Sequence, residues 1–236
     1  MGDLYSMAMC LGCFNTAQNV TLRGIKLVLI YPGNHNISMK RQVKQKSPAT
    51  GAIRIIAYQW RGRKLPVLDV EGLRPTTDRT KETVFNWLTP YLAETNCLDA
   101  FAGAGSLGFE ALSRYASHCT FVELDKQAAK QILANRDLLK LSAQAADVRQ
   151  GSLFQQHLPE ASYDVVFVDP PFNRGLAQQA IDWLSQSGCL KPDALVYVEC
   201  ELTAMPLNLP GGWQLLKQKQ TQQFSYQLYQ TGDRDA

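Results

Sequence analysis

The chain has 236 residues, 45% apolar and 19% charged, so it is long enough for one large domain, or one domain with an extension, around a full core. No segment has the apolar length of a membrane span, and the six cysteines lie at scattered spacings that exclude a disulfide framework. We therefore expect a protein of the reducing cytoplasm with no membrane partner.

The net charge of +3 conceals two segments of opposite sign. Residues 39–81 carry eleven Lys and Arg against three acidic residues, whereas residues 82–236 carry eleven against seventeen. A basic segment attached to an acidic body favours a polyanionic partner for the basic segment.

Residues 1–38 show no clear hydrophobic period, no basic n-region and no cleavage site, so they do not resemble a signal peptide. A polar run begins at Met39. We expect residues 1–38 to be a poorly ordered extension, as an over-long gene start would produce, followed by a basic hairpin and helix over 39–90 and an α/β domain over 91–236.

Two short runs predict a β-hairpin, at 54–57 and 64–68, with Gly62 as the turn residue between them. An aromatic residue and three cations fall at the expected tip: Trp60, Arg61, Arg63 and Lys64. Cations beside an aromatic ring suit a phosphate backbone and an unstacked base, so we expect this hairpin to contact a nucleic acid.

A helix is predicted next, with Thr77 or Asp78 as its cap and with Val84, Phe85 and Leu88 on its buried face. The segment from Arg74 to Arg79 mixes donors, hydroxyls and an acid ahead of this helix, so it is a candidate wall for the active site. Its candidate RNA-binding residues are Arg74, Thr76, Asp78 and Arg79. An ordinary capped helix start explains these residues equally well.

From Asn96 onward strands and helices alternate, which predicts a doubly wound, mostly parallel sheet. Strands are predicted at 97–101, 119–124, 147–150, 165–169 and 195–200, with an antiparallel closing pair near 213–220 and 224–230, and helices at 106–114, 126–141 and 176–187.

The first turn of this sheet carries Gly103, Gly105 and Gly108 after a strand and before a helix. This spacing is typical of a dinucleotide site, but alone it is a weak signal. Asp99 ends the strand, where a carboxylate would face a pyrophosphate unfavourably and would suit a cationic ligand. S-adenosylmethionine, which carries an ammonium and a sulfonium, is therefore favoured over NAD.

The remaining cofactor contacts are expected at the ends of the next two strands. Glu123 lies twenty residues beyond Gly103, where its carboxylate could bind the ribose hydroxyls. Adenine would lie near Gly151, Ser152 and Leu153, after the third strand, and Phe101 belongs to the same set of cofactor-binding residues. A helix cap or a surface ion pair is the structural alternative for the two acids.

The most informative stretch is Asp169-Pro170-Pro171-Phe172, directly after the apolar run 165–168. Proline cannot donate to a ladder, so the strand ends there and holds Asp169 at its carboxyl edge, where open α/β sheets bind ligands. A carboxylate, proline carbonyls and a ring suit a planar base with an exocyclic amine. The carboxylate and the Pro170 carbonyl would accept the amine hydrogens, and Phe172 would stack on the base.

Together these motifs resemble the RsmD family, from about Ile53 to the C-terminus. The resemblance is carried by the runs 54–56, 60–66, 73–79, 85–88 and 98–103, and by Asp169-Pro170-Pro171-Phe172. It implies a Rossmann-like class I methyltransferase that uses S-adenosylmethionine, leaves S-adenosylhomocysteine and methylates the N2 amine of one guanine in 16S ribosomal RNA. Ser152 departs from the family pattern, since an acid often stands there.

The resemblance further implies a methyltransferase domain over 91–236 and action on an assembling small subunit, and we expect a monomer. In-line methyl transfer needs no metal, and the sequence shows no cluster of metal ligands. Three alternatives remain open at this stage. A DNA adenine-N6 methyltransferase shares the Asp-Pro-Pro-aromatic corner, a nicotinamide oxidoreductase fits the glycines, and a non-enzymatic RNA-binding module explains the basic segment.

Overall fold

The structure is a computed structural model that describes the backbone of residues 18–22 and 25–29, and residues 51–67 and 78–232 in full. The chain divides into two compact units, Met1–Gln45 and Lys46–Ala236. In the first unit, β1 (Gln18–Leu22) and β2 (Ile25–Leu29) form an antiparallel pair. The rest of the expected extension over residues 1–38 lies outside the described residues, so its state of order stays a prediction.

The second unit is built on a seven-stranded sheet that confirms the predicted fold class. Its strands are β5 (Asn96–Asp99), β6 (His118–Glu123), β7 (Ala146–Gln150), β8 (Tyr163–Val168), β9 (Leu190–Glu201), β10 (Gln214–Gln220) and β11 (Phe224–Gln230). Their spatial order is β10-β11-β9-β8-β5-β6-β7. The five strands from β5 to β9 are parallel, and β11 pairs antiparallel with both β9 and β10.

Within the described residues, four helices flank this sheet: α1 (Asp78–Leu88), α2 (Ser106–Ser113), α3 (Lys126–Leu138) and α4 (Leu176–Ser187). The face predicted for α1 is confirmed, since Val84, Phe85 and Leu88 have no exposed surface. Helix α3 begins after Asp125, whose carboxylate accepts hydrogen bonds from two backbone N–H groups of the first turn.

Strand β8 shows why the central strands are continuously apolar. Val165 and Phe167 face one core with α1 and α2, whereas Val166 and Val168 face the other core with α4. All four side chains are at most 1% exposed. Because both faces of a parallel sheet are covered, polar alternation is absent from such a strand.

The predicted hairpin precedes α1 and consists of β3 (Gly51–Arg54) and β4 (Lys64–Val67), paired antiparallel. Gly62 has φ of 81°, which favours glycine, and its predicted role as the turn residue is confirmed. The hairpin shares its core with α1, α2 and the sheet.

Strand β5 lies between β6 and β8. From β5 the chain builds one side of the sheet with β6 and β7, and it then crosses to the other side of β5 to form β8 and β9. The carboxyl end of β5 is therefore the point at which the strand order reverses. Open α/β sheets bind ligands at this switch point. Within the part of the chain that the structure describes, no helix is both long and apolar enough to cross a membrane.

Candidate active site

A cleft of about 280 Å³ opens at the carboxyl ends of β5, β6 and β8. Most of the residues predicted to bind the cofactor or the acceptor line it: Asp99, Phe101, Gly103, Glu123, Ser152, Leu153, Asp169, Pro170, Pro171 and Phe172. Residues from four different loops therefore meet in one place, although they span more than seventy positions of the sequence.

The glycines of the first turn have separate roles. Gly103 lines the cleft with φ of 54°. Gly105, a predicted cofactor residue, is not among the lining residues; it precedes α2 with φ of 76°, and a Cβ there would lie 2.8 Å from the Phe109 ring. A Cβ at Gly108 would lie 2.2 Å from the Phe121 ring, so this glycine lets α2 pack closely on β6.

Asp99 is almost completely buried, at 1% exposure, at the floor of the cleft. The Gly108 N–H donates to its Oδ2 atom at 3.0 Å. Burial, and to a lesser extent the neighbouring Asp169 and Glu123, raises the pKa of Asp99 to about 7, while the Gly108 hydrogen bond acts in the opposite direction. A cationic ligand beside Asp99 would relieve this unfavourable burial of charge.

Glu123 braces the glycine turn against the start of α3. Its Oε2 atom accepts from the Gly103 N–H at 2.6 Å, and its Oε1 atom accepts from the Asp125 N–H at 2.7 Å. Burial raises the pKa of Glu123, and these two backbone hydrogen bonds oppose that rise. The carboxylate is thus fixed at the cleft wall, where its remaining lone pairs can accept from a ribose.

Two aromatic rings close the cleft around the predicted adenine position. Phe101 and Phe154 meet edge to face with their centroids 6.4 Å apart. Sequence reasoning missed Phe154, which lies next to Leu153 in a short 3-10 turn and lines the cleft with it. Its position was the available signal in the sequence, because Phe154 is an apolar residue that directly follows the predicted contacts Ser152 and Leu153.

The Asp-Pro-Pro-Phe corner begins one residue beyond β8, as expected. Asp169 is half-buried, and Phe172 packs against Phe224 with centroids 4.3 Å apart and planes tilted by 30°. The loop is held from β9, because the Asn173 N–H donates to the Glu201 carboxylate. Phe224 therefore packs on one side of Phe172, which itself lines the cleft.

Sequence reasoning missed several further residues at this end of the cleft: Val67, Thr80, Arg174, Glu199, Phe224 and Tyr226. Glu199 is 7% exposed, and the buried Tyr197 hydroxyl donates to its Oε2 atom at 3.2 Å. An acid inside the apolar run of β9 could have drawn attention to this position, because a buried acid usually has a partner or a function.

The predicted RNA-binding residues of the hairpin separate into two groups. Arg61, Arg63 and Lys64 are exposed, as a phosphate contact requires. Trp60 is only 9% exposed and belongs to the core, so the expectation that its ring is presented at the tip is wrong. Tyr58 is the exposed aromatic residue of the hairpin, at 48% exposure.

Helix α2 fixes the hairpin in place. The Ile56 N–H donates to Glu110 Oε2 at 2.8 Å, and the Trp60 N–H donates to Ser113 Oγ at 3.0 Å. The Ser113 hydroxyl in turn donates to the Ala57 carbonyl at 2.7 Å. These bonds draw the backbone around Trp60 onto the protein and explain why its ring is buried. The hairpin is thereby joined to the helix that follows the glycine turn.

The start of α1 is exposed, with Asp78 and Arg79 on the surface. Asp78 lies 3.5 Å from the buried Lys81 amino group, which also donates to the Arg54 carbonyl of β3. Burial lowers the pKa of Lys81. Arg74, Thr76 and the alternative cap Thr77 lie outside the described residues, so their predicted roles stay predictions.

Among residues 51–67 and 78–232, no group of His, Cys, Asp and Glu side chains is placed to hold a metal ion. Four acids line the cleft, namely Asp99, Glu123, Asp169 and Glu199, against Arg174 as the single cation among the described lining residues. This electrostatic balance favours a ligand with cationic or hydrogen-bond-donating groups.

Comparison with known proteins agrees with this geometry. The family model described as Conserved hypothetical protein 95 matches residues 53–230. Ribosomal RNA small subunit methyltransferase D of Haemophilus influenzae is 56% identical over 189 residues, which cover 79% of this chain and 97% of that protein.

Solved structures show the same fold. The yhhF protein of Escherichia coli superposes with a TM-score of 0.71 at 44% identity, over 77% of this chain and 99% of that one. An RNA methyltransferase from Salinibacter ruber, solved with S-adenosyl-L-homocysteine, reaches a TM-score of 0.52 at 16% identity, over 68% of this chain and 95% of that one, and shares the fold.

Proposed function

Because this chain belongs to the RsmD family, we propose that it transfers a methyl group from S-adenosylmethionine to the exocyclic N2 amine of one guanine in 16S ribosomal RNA. The observation that carries this proposal is the meeting of Asp99 and Glu123 with the Asp169-Pro170-Pro171-Phe172 corner in one cleft. The first pair suits the cofactor, and the corner suits a base that carries an amine.

The cofactor half of the cleft is built for a cation and a ribose. Asp99 would bind the ammonium group, and Glu123 the ribose hydroxyls, with adenine between Phe101 and the loop of Leu153 and Phe154. When bound, S-adenosylmethionine supplies an electrophilic methyl group on a sulfonium. A nicotinamide dinucleotide fits less well, because its pyrophosphate would approach the buried Asp99.

The acceptor half positions a weak nucleophile. The N2 lone pair of guanine is delocalised into the ring, so the amine must be held out of conjugation. Asp169 and the Pro170 carbonyl would accept its two hydrogens, while Phe172, backed by Phe224, would stack on the base, worth about 1–3 kcal/mol. Asp169 would also stabilise the positive charge that develops on nitrogen, and the proton would leave once the methyl has been transferred.

The exposed cations of the hairpin would guide the RNA to this cleft. Arg61, Arg63 and Lys64 lie on the hairpin that hydrogen bonds from α2 hold beside the glycine turn. Since a base inside a duplex is inaccessible, the guanine would be unpaired or flipped out.

The test is the location of the methyl group. Ribosomal RNA from cells with and without the protein is digested and examined for N2-methylguanosine, and the purified protein is given labelled S-adenosylmethionine with unmethylated 16S RNA, naked or in small subunits. We expect one N2-methylguanosine to depend on the protein. Methylation of adenine N6 in DNA, or no transfer to RNA, would contradict the proposal.

A further inference from the structure

Three side chains form a row across neighbouring strands at the acceptor end of the cleft. Val168 of β8 is in register with Val198 of β9, so Asp169 and Glu199 each follow one residue later. Glu199 is in turn paired with Tyr226 of β11. All three residues line the cleft, and adjacent strands are about 4.8 Å apart. The order across the sheet is therefore carboxylate, carboxylate, phenol.

Glu199 is held in this row by a second buried group. The Tyr197 hydroxyl donates to its Oε2 atom at 3.2 Å, and Tyr197 has no exposed surface. Burial, together with Glu199 itself, raises the pKa of Tyr197 well above its usual value, so the hydroxyl keeps its proton and acts as a donor. Glu199 is thus an oriented hydrogen-bond acceptor at the cleft wall.

The Watson–Crick edge of guanine presents three groups in the same order: the N2 amine, the N1–H donor and the O6 acceptor. We propose that Asp169, Glu199 and Tyr226 read this edge together, with Glu199 accepting from N1–H and Tyr226 donating to O6. This inference rests on the proposed function and assigns the residue that selects guanine.

Glu199 would select guanine because the other amino-purine has the opposite group at N1. Adenine presents a lone pair at N1, which a carboxylate repels, whereas guanine presents a hydrogen. A site whose buried polar group loses its partner rejects the wrong ligand strongly. Asp169 alone would accept from either exocyclic amine, so the Asp-Pro-Pro-Phe corner does not make this distinction.

The probe is 2-aminopurine, which keeps the N2 amine but has a lone pair at N1 and a hydrogen at C6. Small subunits are reconstituted with RNA carrying guanine or 2-aminopurine at the mapped target nucleotide, and single-turnover rates of methyl transfer are compared. We expect the wild type to favour guanine by about tenfold or more. Glu199→Gln keeps an oxygen for Tyr197 and turns an NH₂ towards N1, so it should lower the rate on guanine and raise that on 2-aminopurine.

Tyr226→Phe should slow transfer to guanine and leave 2-aminopurine unaffected, since that base has no group at C6. The matched control is Glu160→Gln on the exposed surface, and affinity for S-adenosylhomocysteine and the melting temperature verify that each variant is folded. A guanine preference that Glu199→Gln leaves unchanged overturns this inference alone. Failure of the wild type to form N2-methylguanosine overturns the proposed function as well.

Discussion

Asp169 stands one residue beyond β8, where its carboxylate is fixed by the strand behind it and by two prolines ahead. It is half-buried and outside both cores, so its removal should leave the fold intact. We expect Asp169→Ala to lower single-turnover methyl transfer by about a hundredfold or more, which is typical of the loss of one preorganised electrostatic partner.

Asp169→Asn should be milder, because its amide oxygen still accepts one amine hydrogen while its NH₂ opposes the other. Asp182→Ala on the exposed face of α4 is the matched control and should not change the rate. Affinity for S-adenosylmethionine should stay close to that of the wild type in all three. Wild-type transfer by Asp169→Ala would mean that the corner is only a turn.

At Asp99 the proposed contact with the cofactor conflicts with the stability of the ligand-free protein. Its pKa is raised to about 7 by burial, whereas an aspartate in an unfolded chain titrates near pH 4. As the pH rises from about 4 to about 7, the unfolded chain gives up this proton before the folded protein does. Asp99 therefore lowers the stability of the ligand-free protein progressively over that range, and the loss is complete above pH 7.

Asp99→Asn should raise the melting temperature, more at pH 8 than at pH 4, because its amide oxygen can still accept from the Gly108 N–H. It should also weaken cofactor binding by about tenfold or more, since the charge partner of the ammonium is lost. In the wild type, affinity should increase with pH through about 7, and in the variant it should not. Calorimetry and thermal melts over this pH range test both effects. An Asp99→Asn variant whose melting temperature at pH 8 is no higher than that of the wild type would contradict this prediction.

At the scale of elements, the hairpin β3–β4 carries the exposed cations. Changing Arg61, Arg63 and Lys64 together to Ala should weaken RNA binding and reduce the salt dependence of its affinity by about 0.7–0.9 in log–log slope for each lost phosphate contact. Cofactor affinity should not change, because none of the three side chains lines the cleft. Binding titrations at several salt concentrations measure the slope.

The control replaces three other exposed cations, Lys126 and Lys130 of α3 and Lys140 just after it, and alters net charge equally. If both triple variants reduce the salt dependence of RNA affinity by the same amount, the effect comes from overall charge and the hairpin is not the contact surface. A slope that neither variant changes would place the RNA elsewhere.

Glu110 of α2 connects the hairpin to the rest of the protein, and it has no exposed surface. It accepts from the Ile56 N–H and, at 2.9 Å, from Arg114 Nε. Glu110→Ala would leave the buried Arg114 guanidinium without its acidic partner and the Ile56 N–H without its acceptor, and we expect it to lower the free energy of unfolding by about 3–5 kcal/mol. Glu110→Gln should cost less, because its oxygen still accepts from Ile56. Urea titration compares the two, and a small loss in the alanine variant would contradict the anchoring role.

These elements also show what could be read from the sequence. The end of β8 was predictable because proline ends a strand by local chemistry, and the glycine turn was predictable because α2 starts immediately after it. The burial of Trp60 was not, because it depends on hydrogen bonds to Glu110 and Ser113, more than fifty residues away. Glu199 was missed for the same reason, since only the pairing of β9 with β8 and β11 brings it beside Asp169 and Tyr226.

For the whole molecule, charge and architecture point the same way. The acidic body contains a cleft lined by four carboxylates, and the excess of basic over acidic residues lies in segment 39–81. A polyanion would be attracted to the hairpin and repelled by the cleft lining, so only a base with hydrogen-bond donors would enter. On this division of charge, we expect mutations in the hairpin to change RNA binding and mutations in the cleft to change the choice of base.

The last prediction concerns residues 1–38. The family match begins at residue 53, the compact unit that contains the cleft begins at Lys46, and none of the described cleft residues precedes Val67. A chain that starts at Met39 should therefore retain methyl transfer, cofactor affinity and melting temperature within error of the full chain, and it keeps all the basic residues of segment 39–81. The same three assays, run on both chains with 16S RNA, test this. A slower transfer with unchanged cofactor affinity would assign residues 1–38 a part in RNA binding, and a lower melting temperature would assign them a part in the fold.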